Sequence, residues 1–248
     1  MKKLKYIFLL MILSSTSSFA WKENVPDWLN IFKKIAQLGN PPVCEKCNKE
    51  SEEIPVNLYR KIGKVISGFN TKCNQLFISK DGRLGEAGRE IRDAVQNHGS
   101  QCLYNDIDVS SVCPSYRSFY LKEKDAFWVY AFASIAHKES SCLPSNQNPN
   151  GTNDVADGLF QMEFSYTARR SAGRDPDLCK TSGPHPSGDI KFQAQCSISI
   201  LRDTNCRLGW PLDGPHGYWH LLRSNAKVPS GKTTIIDHIR KFPGCYKN

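Results

Sequence analysis

Apolar residues recur along most of this chain at three- and four-residue intervals, the spacing that places them on one face of a helix. Trp28, Ile31, Phe32, Ile35 and Leu38 keep that spacing, and Gly39-Asn40-Pro41-Pro42 ends the segment. Its polar face is not strongly basic, so it is expected to pack on the domain rather than lie on a membrane. A short helix is expected over 56–68. The residues from Thr71 read as the start of a loop, and Ser79-Lys80-Asp81-Gly82 as a turn. Leu84, Ala87, Ile91, Ala94 and Val95 return to the helical period, with Glu86, Arg89, Glu90, Arg92 and Asp93 as a solvated face. Residues 98–118 read as loop.

The segment 119–137 is different. Phe127, Trp128, Tyr130, Ala131, Phe132, Ile135 and Ala136 leave little of it polar, and a helix apolar nearly all round belongs in the centre of a domain. A loop rich in Asn, Pro and Gly over 140–154 separates it from a second apolar stretch, 159–166. A basic loop with Gly and Pro covers 168–187. Asp189 then stands where it can cap a helix reaching about residue 203, with Ile190, Ala194, Ile198 and Leu201 on one stripe. A short aromatic helix is expected over 217–223, and a last one over 233–241 with Ile235, Ile236 and Ile239 inward. The expected fold class is mainly α (α+β), with a helical extension over 21–110 ahead of a main domain over 111–248.

Composition adds a compartment. Lys2, Lys3 and Lys5, the apolar run over 6–13 and Ser18-Phe19-Ala20 have the order of a secretory signal peptide over 1–20, cleaved after Ala20. That run is shorter than the ~20 residues needed to span a bilayer, and no later run approaches that length. Cleavage removes three lysines and lowers the formal charge from +9 to +6. The excess is spread out, with no Lys/Arg run longer than two in the mature chain, which favours an anionic wall or envelope surface over nucleic acid. All 10 cysteines lie after the leader. In a secreted or periplasmic chain an even count reads as disulfides, and Cys44-Glu45-Lys46-Cys47 as part of that framework rather than half a zinc site. A monomer is expected.

Candidate chemistry centres on Glu139, directly after the apolar helix. Cleaving a glycosidic bond requires a proton on a poor leaving oxygen, and a carboxylic acid supplies one near neutrality only where a low-polarity setting raises its pKa. Position alone says little, because most such residues are solvated. The sequence downstream adds to it: Glu139-Ser140, then Pro144, then Gly158-Leu159-Phe160-Gln161-Met162. On these residues the chain, over about 119–223, resembles the lysozyme-like superfamily that includes soluble lytic transglycosylases and goose-type lysozymes. Gly217-Tyr218-Trp219 is a looser match to a further family segment.

The resemblance implies a lysozyme-like fold with a small β segment beside a buried central helix. It implies cleavage of the MurNAc–GlcNAc β-1,4 bond of peptidoglycan glycan strands, with neither metal nor organic cofactor. Glu139 would be the general acid, Ser140 would hold the carboxylate or substrate, and Gln161 would contact the sugar. Tyr218 would bond the catalytic carboxylate, while Asp157, Phe160 and Trp219 complete the expected substrate-binding set. Phe160 stands where the family commonly has Met. Cys142 stands where an aromatic is common, which implies a disulfide pinning that turn.

The nineteen positions from Glu139 to Gly158 are similar to the longer loop of goose-type lysozymes. Those proteins carry acidic residues there to position water. An inverting glycosidase needs a second carboxylate ~6.5–9.5 Å from its acid, whereas a transglycosylase uses the sugar's own 6-hydroxyl and needs none. Asp154 and Asp157 lie in the loop and Glu163 follows the apolar turn. The expectation is hydrolysis, with Glu163 the first choice of base and Asp154 the second. Transglycosylation is the alternative, and a non-catalytic wall-binding module the alternative of another class. His137-Lys138-Glu139 also has the His-x-Glu spacing of zinc deaminases, but no Pro-Cys-x-x-Cys follows it.

Overall fold

The computed structural model describes residues 56–151, 155–163, 179, 188–227 and 233–246. The chain divides into two units, 1–50 and 51–248, and all the described residues belong to the second. The expected signal peptide, the helix ending at Leu38, Cys44 and Cys47, residues 152–154 of the expected 140–154 loop (Asp154 among them) and all of the expected 168–187 loop except Cys179 lie outside the described residues.

Helix α1 (Val56–Ser67) follows its expected limits. Helix α2 (Thr71–Leu76) replaces an expected loop. Asn70 makes the difference: its side-chain oxygen accepts the Cys73 amide N–H at 2.8 Å, satisfying a donor that a short helix cannot satisfy itself. Helix α3 (Glu86–Ala94) runs on through a wider π-type turn to Gly99, and a second such turn covers Cys102–Asp106. The expected loop over 98–118 is therefore largely turned backbone, closing with one 3-10 turn at Tyr116–Ser118.

Helix α4 (Leu121–Ser140) is the centre. Every residue from Lys124 to Ala136 is buried. Its aromatic rings meet others on several sides: Tyr116 against Phe127 at 4.9 Å, Phe242 against Tyr130 at 5.6 Å, Phe160 against Phe132 at 5.3 Å. The helix runs three residues past its expected end, so Glu139 sits in its last turn rather than after it. Helix α5 (Ile190–Leu201) is capped by Asp189, which accepts the Phe192 N–H at 2.9 Å. It is buried on most of its surface rather than on one stripe, because α3 and the turn 95–99 cover it. Trp219 to Leu222 holds one 3-10 turn, and α6 (Ile235–Ile239) closes the core behind a Thr234–Asp237 capping box. Buried apolar side chains from Tyr59 on α1 to Cys245 near the end of the described chain form one continuous core.

Strands β1 (Gln147–Asn148), β2 (Ala156–Asp157) and β3 (Met162–Glu163) form a small antiparallel sheet in the order β1-β2-β3. Gln147 pairs with Asp157, and Asp157 in turn with Met162. The fold is mainly helical with this small sheet, as expected. Four disulfides close it: Cys73–Cys142, Cys102–Cys206, Cys113–Cys245 and Cys179–Cys196. Bonds of this kind persist in oxidising compartments such as the periplasm or cell exterior. Among the described residues no helix is long and apolar enough to cross a membrane.

Candidate active site

Helix α4 carries Glu139 to the edge of the core and ends one residue later, at Ser140. Ser141 and Cys142 both take left-handed backbone, at φ 55° and 58°. For residues with a Cβ this conformation costs roughly 1–2 kcal/mol each, so something must hold it. Three ties do. The Cys142 N–H donates back to the Ala136 carbonyl at 3.0 Å. The Cys73–Cys142 disulfide joins the turn to α2. The Asn70 side-chain amide donates to the Ser141 carbonyl at 3.2 Å. The disulfide at Cys142 is thus where the family comparison of this turn implied one.

Glu139 is partly buried. Loss of water around its carboxyl raises its pKa from 4.5 to about 7, and no neighbouring charge is needed to do so. The residue therefore holds a proton at a pH where an ordinary glutamate has lost it. Ser140 is turned the other way. Its hydroxyl donates to the Leu159 carbonyl at 2.9 Å and accepts the Leu143 N–H at 3.3 Å, tying the helix end to the β2–β3 turn.

That turn is Gly158-Leu159-Phe160-Gln161 between Asp157 and Met162. Gly158 has φ 77°, and a Cβ there would collide with the side-chain amide of Gln193, so only glycine fits. Gln161 also has positive φ, at 48°. Its side-chain amide donates to the Asn146 and Gly158 carbonyls at 3.0 and 2.9 Å. Phe160 and Trp219, expected at the substrate, are 0% and 3% exposed. Their rings rest on Phe132, and the Trp219 indole donates to the Phe160 carbonyl at 2.8 Å. They stand behind the turn and support it.

Tyr218 lies beside Trp219 and its hydroxyl accepts the Glu163 backbone N–H at 3.0 Å. The 217–219 segment, a loose match in sequence, thus meets the strand that carries Glu163. Glu163 and Asp157 are nearly or fully buried, at 9% and 1% exposure, on paired strands. The described structure therefore brings Ser140, Asp157, Phe160, Gln161, Glu163, Tyr218 and Trp219 onto one small sheet and its supports, at the end of the helix that bears Glu139.

One contributor was not legible in the sequence. Gln193 on α5 is 1% exposed, accepts the Leu159 N–H at 2.6 Å and donates to the Pro144 carbonyl at 3.1 Å. Within the helical pattern it read as an ordinary polar position; only its offset of one from the apolar Ala194 hinted at burial. Behind the site, His137 and His238 pack edge to face at 5.3 Å, with Phe69 against both. Burial and the Lys138 charge lower the pKa of both histidines. Among the described residues no three His, Cys, Asp or Glu side chains gather in a way that could hold a metal ion.

No family model matches this chain, and no curated protein matches it. Solved structures do. The Bdellovibrio protein Bd0314 DslA, wild-type form 2, is 22% identical with a TM-score of 0.52, over 67% of this chain and 93% of that one. A mutant of the same protein with glutamine in place of a glutamate is 21% identical with a TM-score of 0.53 over the same shares. At this identity the likeness is one of fold.

Proposed function

We propose that this chain is an exported peptidoglycan-cleaving glycosidase, a muramidase, with Glu139 as its general acid. The observation that carries the reading is the placement of Glu139. It stands in the last turn of a buried helix, beside a braced Gly-Leu-Phe-Gln turn, in surroundings that keep its carboxyl protonated to about pH 7. A proton held at neutrality is what a glycosidic leaving oxygen needs. The lysozyme-like resemblance of Glu139-Ser140 and Gly158 to Met162 supplies the substrate class.

In this reading Glu139 protonates the oxygen of the scissile MurNAc–GlcNAc bond as it breaks. Glu163 is the first choice for the carboxylate that orients the attacking water, with Asp154 second. Gln161 and Tyr218, both partly exposed, face the sugar, and Phe160 and Trp219 hold the turn from behind. Retention of a 6-hydroxyl attack in place of water would make the protein a lytic transglycosylase. A wall-binding module without catalysis is the reading from another class.

Digestion of defined peptidoglycan by wild type and Glu139→Gln, followed by mass analysis, separates these. Reducing-end products from wild type alone support hydrolysis; 1,6-anhydro ends support transglycosylation. Equal digestion by both proteins, or none by either, removes the enzyme reading. Full hydrolysis by Glu163→Gln removes Glu163 as base.

A further inference from the structure

We infer that Gln193 is a positioning residue of this site, setting the height of the Gly158–Gln161 turn against the loop that follows Glu139. The inference rests on the glycosidase reading for its activity consequences. Its geometry stands apart from that reading.

A neutral amide inside a helix buried on most of its surface is costly unless both its ends are bonded. Here both are, one to backbone of the β2–β3 turn and one to backbone of the loop that follows Glu139. The Gln193 side-chain oxygen accepts from the Leu159 N–H at 2.6 Å, and the nitrogen donates to the Pro144 carbonyl at 3.1 Å. The Leu159 carbonyl in turn accepts the Ser140 hydroxyl at 2.9 Å, and the Ser140 hydroxyl accepts the Leu143 N–H. The peptide groups on either side of Leu159 are thus held from two directions, one anchored on α5 and one on the residue next to Glu139. The Pro144 carbonyl also accepts the Gly188 N–H at 3.1 Å, which brings the start of α5 into the same ring of bonds.

The choice of side chain is narrow. Leucine would fill the same space but offer neither acceptor nor donor. A carboxylate would accept from Leu159 and leave two acceptors, its own oxygen and that of Pro144, facing each other. Only when protonated would it reproduce the amide. The absence of a Cβ at Gly158 completes the fit, since the Gln193 amide occupies that space. A turn seated by this amide fixes where Phe160 and Gln161 stand relative to Glu139.

The test compares wild type, Gln193→Leu and Gln193→Glu by kcat, KM and melting temperature across pH, with amide hydrogen exchange of Leu159. Gln193→Leu is expected to lower kcat at least tenfold at temperatures where it remains folded, to move the alkaline limb of kcat, and to speed Leu159 exchange by tenfold or more. Gln193→Glu is expected to recover kcat and Leu159 protection in acid, and to lose both as the new carboxyl ionises. Unchanged Leu159 exchange in both variants overturns the inference, whatever reaction the protein catalyses. Unchanged kcat and alkaline limb in folded Gln193→Leu, with wild type active and dependent on Glu139, overturns it while leaving the glycosidase reading intact. Should Gln193→Leu fail to fold, Gln193→Glu in acid still decides the matter.

Discussion

The Asn70 side chain donates to the Ser141 carbonyl, 71 positions away, at 3.2 Å, while its oxygen caps α2 through the Cys73 N–H. One small amide therefore starts a helix and pins the strained turn behind Glu139. Cys73, on the helix it starts, is bonded to Cys142 in the same turn. Asn70→Ala is expected to lose the cap and the tie together, lowering stability by about 1–2 kcal/mol. Denaturant unfolding would measure it. With the disulfide intact the loss should stay in that range; in a Cys73→Ser, Cys142→Ser background Asn70→Ala should cost more, because two left-handed residues would then lose their remaining side-chain tie.

On the proposed function, activity should depend on pH through Glu139. Its folded pKa is raised from 4.5 to about 7 by burial, so the proton it donates is present below that value and lost above it. The expected kcat profile falls on the alkaline side near pH 7. Glu139→Gln should lower kcat by about 10²–10⁴, the usual worth of a general acid. The same shift bears on stability. The native state keeps this proton between pH 4.5 and 7 while the unfolded state does not, so the contribution is full below 4.5 and is lost as pH rises through 7. Melting temperature against pH for Glu139→Gln should be flatter across that window.

His238 has the opposite sign. Burial, Lys138, His137 and Lys241 lower its pKa from 6.5 to about 4, opposed by Asp237, and its Nδ1 is buried without a hydrogen-bond partner. The folded state thus prefers neutral His238. Its contribution is full above pH 6.5 and is lost as pH falls through 4. The His238 carbonyl accepts the Tyr130 hydroxyl at 2.8 Å and Thr233 faces its Nε2 at 3.0 Å, so His238→Gln keeps the backbone contact and removes the titration. The acid side of its stability curve should then be shallower between pH 4 and 6.5.

Gly158→Ala is expected to be among the more damaging single-methyl additions. The backbone there is left-handed, which costs roughly 1–2 kcal/mol for alanine, and the new methyl meets the Gln193 amide. Displacing that amide would also release the Leu159 N–H. A melting temperature within a degree of wild type would show that the turn can adopt another conformation.

Tyr218→Phe removes the acceptor of the Glu163 N–H while leaving the ring that packs edge to face on Trp219 at 5.2 Å. A buried amide left without its acceptor costs about 1–3 kcal/mol. Thermal unfolding would report that loss. On the proposed function, kcat on peptidoglycan should fall as well, since the strand bearing Glu163 loosens.

Much of the helical frame was legible in the chain because it rests on local periodicity. The all-round apolar run predicted a central buried helix, the 56–67 and 235–239 helices lie where their patterns put them, and Asp189 caps α5 as its position implied. Glu139 and the Gly158 to Met162 turn could be singled out because their residue types and order are distinctive. What the chain alone did not decide depends on partners distant in sequence. The last turn of α4 extends to Ser140 because the Schellman-like return to Ala136 and the bond to Cys73 hold it. Helix α2 exists because Asn70 caps it, and the backing role of Phe160 and Trp219 comes from Phe132 beneath both. Gln193 shows the limit most clearly. Local pattern records that a polar residue sits on a helix; only the folded chain brings Leu159 and Pro144 within reach of its two ends, because hydrogen bonds depend on distances that sequence separation does not encode.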